Sequence, residues 1–163
     1  MHLVHDIDVT LLMALALAAK RRPADLGEII AAADLLDGAV PSEAKLGDAF
    51  SRLSLAGLVA EVGGAFTLTP DAQKIMSGQS RKADSRERAF TIKEKLGAYS
   101  PQDGLPAIQP TAEAIRAASS AYAKVRNSAL KNLLVSKPSL ADGEGPRPGQ
   151  RQRKPLPPRR KKG

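Results

Sequence analysis

The chain contains no cysteine among its 163 residues, and this absence removes several classes of protein. Without thiols there is no disulfide framework, no cysteine nucleophile and no cysteine-ligated zinc site. The composition fits a reducing compartment, and we expect a cytoplasmic location. Aromatic residues make up only 3% of the sequence, so a hydrophobic core has to be built from leucine, isoleucine, valine and alanine.

The residue patterns of catalytic sites are also missing. The only two histidines are His2 and His5, and the sequence shows no nucleophile elbow, no phosphate-binding loop and no spaced pair of carboxylates on one buried face. His2, His5 and Asp8 have a spacing that could hold a metal, but N-terminal segments are usually frayed and solvated. We therefore expect no enzyme activity, no catalytic residues, no metal and no cofactor.

No hydrophobic run is long enough to cross a bilayer. The apolar residues 9–19 are too few for a membrane span. The residues before them include Asp6 and Asp8 and no lysine or arginine, whereas a signal peptide begins with positive charge. We interpret this run as a buried first helix and expect no membrane partner.

Positive charge is unevenly distributed along the sequence. The net charge is +8, but residues 1–80 contain 6 basic and 10 acidic side chains, a net charge of −4. Residues 81–144 contain 11 basic and 7 acidic side chains, and residues 145–163 contain 8 basic side chains and no acidic one. The basic character therefore belongs to the second half and above all to the tail.

Apolar residues at helical spacing predict three helices in the first 57 residues. Asp8 is predicted to cap the first helix, which runs to about Ala19. Asp25 and Glu28 have the spacing of a capping box at the start of the second helix, which ends at Asp37-Gly38. Ser42 is predicted to cap the third helix, which stops at Gly57 and has the inward stripe Leu46, Ala49, Phe50 and Leu53.

A hairpin is predicted directly after the third helix. Residues 58–62 and 65–68 are apolar enough for two strands, and Gly63-Gly64 supplies the positive φ values of a tight turn. Thr69-Pro70 then has the pattern of a helix start. This order resembles the winged helix-turn-helix domains of bacterial transcription regulators over residues 7–77. Three segments carry the resemblance: Leu26-x-x-Ile29-Ile30-x-x-Ala33-Asp34-x-Leu36, Phe50-x-x-Leu53-x-x-x-Gly57-Leu58-Val59 and Phe66-Thr67-Leu68-Thr69-Pro70. The resemblance implies a mainly α fold of three helices with a two-stranded wing, and it makes DNA binding the first hypothesis.

The second half of the chain divides into three further parts. Residues 79–110 are predicted to be a charged, solvent-exposed helical linker followed by a proline-containing loop, after a winged domain at residues 1–78. Residues 111–137 contain a long amphipathic helix that Thr111 caps. Residues 138–163 are rich in proline, arginine and lysine, and we expect them to be disordered because they cannot bury enough apolar surface.

The third helix is the element that enters the major groove in winged-helix regulators. The predicted contacts there are Ser42, Lys45, Ser51 and Arg52, with Arg21 and Arg22 as the nearest additional cations. The outward positions also include Asp48 and Leu55, and the hairpin contains no lysine or arginine. These features favour an alternative, in which the winged helix is an adaptor or assembly subunit with a protein partner on the Leu55 face.

The tail has the opposite character. Its eight cations lie within sixteen residues that contain no acidic side chain, and they are suited to binding phosphates without sequence preference: Arg147, Arg151, Arg153, Lys154, Arg159, Arg160, Lys161 and Lys162. The first hypothesis is therefore a DNA-binding transcription regulator in which the winged domain gives placement and the tail adds electrostatic affinity. Association with RNA or the ribosome is a third alternative, and a solubilising tail is the competing interpretation.

The long helix has one narrow apolar stripe, which is typical of a helix that packs on a single partner. We predict a homodimer through this helix, with Ile115, Tyr122, Val125 and Leu133 buried in the interface. The competing expectation is that the helix folds back onto the first helix of its own chain.

Overall fold

The computed structural model describes residues 4–79, 82–101 and 106–134, with side chains described as far as residue 131. This part of the chain forms six helices and one two-stranded sheet. The elements in chain order are α1 (Asp6–Ala18), α2 (Leu26–Asp37), α3 (Glu43–Leu55), β1 (Val59–Val62), β2 (Ala65–Leu68), α4 (Pro70–Met76), α5 (Ser85–Ala98) and α6 (Ala112–Leu134). The predicted disordered tail at residues 138–163 lies outside the described residues.

Helix α1 is the centre of the core, as its apolar sequence predicts. Leu11, Leu12 and Leu15 are fully buried, and the helix contacts α2, α3, α4 and α5. The helix begins earlier than predicted, at Asp6, and Asp8 is its third residue. The Asp8 carboxylate accepts a hydrogen bond from the backbone N–H of His5 at 3.0 Å, so it still satisfies a free donor at this helix end.

The starts and ends of α2 and α3 follow local rules. The predicted capping box at α2 is confirmed, because Asp25 accepts from the Glu28 N–H at 2.8 Å and Glu28 accepts from the Asp25 N–H at 3.2 Å. Gly38 ends the helix with φ of 71°, a left-handed conformation that few other residues adopt without strain. Ser42 precedes α3 at the predicted position, but its side chain makes no capping hydrogen bond.

The hairpin has the predicted turn. Val62 pairs with Ala65 across Gly63 and Gly64, which both have positive φ, and the strands are antiparallel. Ala24 extends the sheet by one bridge to Phe66. The ring centroid of Phe66 lies 4.7 Å from the ring centroid of Phe50 in α3. The order of helices and strands is consistent with a winged-helix-like layout.

Helix α5 differs from the exposed linker that its charged sequence predicts. Ile92 is fully buried and Leu96 is 5% exposed, because this thin apolar stripe packs against α1 and α4. Two buried residues one turn apart are sufficient to dock the helix, and its other faces remain charged and exposed. The helix is therefore part of the packed body.

Helix α6 packs on its own chain, but not where the competing expectation placed it. It contacts α2 and α3, whereas the expectation was docking on α1. Both α2 and α3 also contact α1, so α6 packs on helices that already cover the central one. Thr111 caps α6 as predicted, accepting from the Ala114 N–H at 3.2 Å.

Candidate nucleic-acid interface

The outward face of α3 is defined by the residues that are turned away from the core. Leu46, Ala49, Phe50 and Leu53 are all buried, as predicted. The opposite face exposes Ala44, Asp48 and Leu55, and Ser51 beside them is half-buried. This face therefore offers one carboxylate, one leucine that is 49% exposed and no cation.

Arg52, a predicted DNA contact, is held in an ion pair inside the body. Its Nη2 lies 2.6 Å from Oδ1 of Asp8, and its Nε donates to both carboxylate oxygens at 3.1 and 3.2 Å. The Asp8 side chain is 6% exposed and the Arg52 side chain is 30% exposed. The guanidinium neutralises a carboxylate that would otherwise be buried without a partner, and a phosphate would have to compete with this pair.

Ser42 and Lys45 remain exposed at the start of α3, and Lys45 has no partner among the described residues. A cleft of about 340 Å³ brings Lys45 and Arg52 together, but Asp6 and Asp48 line the same cleft. Two carboxylates beside two cations leave little net attraction for a phosphate. The structure therefore brings Lys45 and Arg52 together in a surface of mixed charge.

The basic triplet after α1 is also partly neutralised. Arg22 pairs with Glu28 of α2 and donates to the carbonyl oxygen of Pro23 at 3.2 Å. Lys20 and Arg21 are exposed and have no partner among the described residues. These two cations can meet a ligand without leaving a partner, whereas Arg22, which is 67% exposed, would have to leave Glu28.

The hairpin offers no positive charge at its tip. The exposed residues of the turn region are Glu61, Val62, Gly63 and Gly64, with Val62 at 55% exposure. A wing that contacts the DNA backbone usually presents a donor or a cation. This wing instead presents an apolar side chain and a carboxylate.

The first turns of α6 are fixed on α3. Ile115 is 1% exposed, and its Cδ1 lies 3.7 Å from the position that a Cβ on Gly47 would occupy. Arg116 donates to both carboxylate oxygens of Glu43 at 3.1–3.2 Å, which raises the pKa of Arg116. Ile115 was predicted in a dimer interface, but its own chain already buries it because α6 folds back onto α3.

The middle of α6 is fixed on α2 through one carboxylate. Asp34 accepts from the Tyr122 hydroxyl at 2.8 Å and from Arg126 at 3.0 Å. The hydrogen bond to Asp34 and then desolvation raise the pKa of Tyr122. Tyr122, also predicted in the dimer interface, is half-buried against its own chain. Sequence reasoning missed this role of Asp34, although its place four residues after the buried Ile30 is a signal of partial burial.

The remaining predicted interface residues differ in their surroundings. Val125 is 66% exposed and free to meet another molecule, whereas Leu133 belongs to α6 but its side chain lies outside the described residues. Lys124 and Lys131 are exposed on the same half of the helix and have no described partner. The predicted tail contacts from Arg147 to Lys162 also lie outside the described residues.

A groove separates the N-terminal half of α2 from α6. It has a volume of about 650 Å³, and Gly64 of the hairpin turn is among the residues that line it. Its walls are mostly apolar, formed by Leu26 and Ala31 of α2 and by Ala118, Ala121 and Val125 of α6.

The described part of the chain forms neither a candidate metal site nor a candidate membrane-spanning helix. Within residues 4–79, 82–101 and 106–134, no three histidine, aspartate or glutamate side chains are grouped so that they could hold a metal ion. None of the helices in these ranges combines the length and the apolarity that a membrane crossing requires. Comparison with protein-family models, with curated proteins and with solved structures gave no match to this chain.

Proposed function

We propose that this chain is a winged helix-turn-helix DNA-binding protein of the transcription-regulator type, and that its main electrostatic contact is a C-terminal arm. The arm comprises the exposed Lys124 and Lys131 of α6 and the eight cations of residues 145–163. Pairing of charges is the observation that carries the proposal. Four arginines of the described body are ion-paired to carboxylates, namely Arg22, Arg52, Arg116 and Arg126.

Counterion release explains why the arm is the better phosphate ligand. Each cation that neutralises a DNA phosphate adds about 0.9 to the slope of log affinity against log salt concentration. An arginine already paired with a carboxylate contributes less, because it must exchange one partner for another. Lys124 and Lys131 make no such exchange within the described structure, and residues 145–163, which contain the eight tail cations, contain no acidic side chain.

A salt series of mobility shifts on unrelated duplexes tests this proposal. Removal of residues 145–163 should weaken binding and flatten the salt slope by several units, in proportion to the number of phosphates that the arm neutralises. The matched control is Lys20→Ala with Arg21→Ala, which removes two exposed cations from the body and should change the slope by about two at most. Equal binding by the full and shortened chains at low salt would remove the arm from the proposal. A single-stranded or double-stranded RNA competitor that displaces DNA with higher affinity would favour the RNA alternative.

A second candidate function is an adaptor that binds a protein through the outward face of α3. The observation that favours it is Leu55, which is 49% exposed beside Asp48 on a face without cations. Leu55→Asp should then disrupt the complex with that partner while Lys45→Ala has no effect. If Lys45→Ala weakens DNA binding and Leu55→Asp does not, α3 contributes to DNA recognition and the adaptor function loses its support.

A further inference from the structure

The groove between α2 and α6 has the charge and shape of a docking site. Among the described residues that line it, the charged side chains are Asp25 and Glu28, and the rest are small or apolar apart from the Tyr122 hydroxyl. The α6 wall from Ala114 to Val125 is about 16 Å long at 1.5 Å per residue. An occupant that fits has an apolar face about three helical turns long and a positive charge that can reach Asp25, since Glu28 is already paired with Arg22.

The rims of the groove expose large apolar side chains to water. Val125 is 66% exposed on the α6 side. Leu35 is 76% exposed on α2, and it follows Ala31 by four residues, which places it on the same side of the helix one turn further on. Exposed apolar side chains on both rims of an apolar groove are typical of an interaction surface.

Helix α6 itself extends beyond the body that supports it. Its last polar contact with α2 is made by Arg126, and residues 127–131 are all exposed. An isolated helical end gains little stability in water, because most helix stability in proteins comes from packing one face. We call residues 124–134 the free half of α6. This free half has the chemistry that the groove requires, since it carries Val125, Lys124 and Lys131 and has no acidic side chain.

We propose that the groove is occupied by α6 of a second copy of this chain, antiparallel to the first about a two-fold axis near Tyr122 and Ala123. A two-fold interface is self-complementary, so each groove receives the free half of the other helix. With the axis at the level of Tyr122, Val125 of each copy lies level with Ser119 of the other, between Ala118 and Ala121 of the groove wall, and small residues facing a larger one allow close packing. This inference is independent of the proposed DNA binding.

Charge supports the antiparallel arrangement. Glu113 and Lys131 each lie nine residues from Tyr122, on opposite sides, and neither has a partner among the described residues. They are also on one flank of the helix, because 18 residues make five full turns. Antiparallel pairing therefore places Glu113 of each copy beside Lys131 of the other.

Sedimentation equilibrium of the full chain tests the interface. The wild type should have twice the single-chain mass of 17.2 kDa, and Val125→Glu should reduce it to that single-chain mass. Because Val125 is exposed, the helical circular dichroism of the variant should stay unchanged. Leu55→Glu is the matched control, since Leu55 is also exposed but lies on α3 away from the groove.

A charge exchange distinguishes this arrangement from other dimers. Glu113→Lys should raise the dimer Kd several-fold, because it creates two like-charge contacts by symmetry. Adding Lys131→Glu to that variant should restore the wild-type Kd, since each pair is then re-formed with the signs reversed. Restoration supports the antiparallel pairing specifically.

Three results would overturn the inference. The first is a wild type that remains at the single-chain mass up to about 100 µM, which would also be the result if residues 135–163 of the same chain occupied the groove. The second is a Val125→Glu variant that keeps the dimer mass. The third is a charge exchange that fails to restore the Kd.

Discussion

Two buried carboxylates each receive an arginine from a distant helix, and they differ in how far water reaches them. Asp8 on α1 pairs with Arg52 of α3, with side-chain exposures of 6% and 30%. Asp34 on α2 pairs with Arg126 of α6, with side-chain exposures of 10% and 48%. Asp34 also accepts a hydrogen bond from the Tyr122 hydroxyl. The first pair joins two core helices, whereas the second attaches α6 to an assembled body.

The same ion-pair chemistry has different consequences at different depths in the protein. Loss of one partner from a buried ion pair leaves a charge without compensation and is strongly destabilising. An exposed arginine contributes less, because water replaces its partner at little cost. The α1–α3 pair is therefore expected to control whether the body folds, and the α2–α6 pair whether α6 stays attached.

The largest expected effect is that of Arg52→Ala. It leaves the Asp8 carboxylate buried with a single backbone donor from His5, and because Arg52 is partly exposed we expect a loss of about 3 kcal/mol, the lower end of the range for broken buried pairs. Urea unfolding measures the change. Lys45→Ala is the control: it removes an exposed cation from the same flank of α3 and should change the unfolding free energy by less than about 0.5 kcal/mol. Equal stability of the two variants would show that water reaches Asp8.

A smaller effect is expected from Asp34→Ala. The variant removes the acceptor of Tyr122 and Arg126, which can then turn to water, and we expect a loss of about 1–2 kcal/mol. Hydrogen exchange should accelerate in α6 and remain unchanged in α1, because the contact belongs to the attachment of α6. Asn127→Ala, one residue beyond Arg126 and exposed, should leave exchange unaltered. Uniform acceleration through both helices would contradict a separate attachment.

The same contact predicts a pH dependence at alkaline pH. The pKa of Tyr122 is raised in the folded protein, chiefly because its hydroxyl donates to Asp34. The neutral hydroxyl therefore stabilises the fold: its contribution is complete below the unfolded tyrosine pKa of about 10 and is lost as the pH rises through the higher folded value. Ultraviolet titration of the wild type and of Tyr122→Phe gives the Tyr122 midpoint by difference. Asp34→Asn should lower that midpoint, and an unchanged midpoint would exclude the hydrogen bond as its main cause.

The smallest effect is expected at a fully solvated pair. Lys93 of α5 lies 2.6 Å from Asp6, whose side chain is 90% exposed, and this contact lowers the pKa of Asp6. Lys93→Ala should therefore cost less than about 0.5 kcal/mol above about pH 4, where the carboxylate is charged, and nothing at lower pH once Asp6 is protonated. Chemical denaturation at neutral pH and again well below the ordinary aspartate pKa of about 3.9 gives the two values. If Lys93→Ala lowers the free energy of unfolding as much as Asp34→Ala does, the solvent exposure of an ion pair does not determine how much that pair stabilises the fold.

The local structure of this protein follows from short stretches of its sequence. The capping box of Asp25 and Glu28, the left-handed Gly38, the Gly63-Gly64 turn and the cap at Thr69 all have the predicted geometry, because each depends on residues no more than a few positions apart. The inward stripe of α3 was also predictable, since helical periodicity fixes which side chains share a face. The outward face of α3 followed directly, including its shortage of cations.

Which charges are free depends on contacts between residues that are far apart in the sequence. Arg52 and Asp8 are 44 residues apart, and Tyr122 and Arg126 are 88 and 92 residues from Asp34, so no local pattern connects them. Ile115 has the same place on an apolar stripe whether its partner is α3 or a second molecule, and periodicity cannot tell the two apart. An apolar stripe predicts that one face of a helix is buried, and a charged residue on a partly buried face predicts that it has a partner. Which residue or molecule is that partner depends on how the helices are arranged in space.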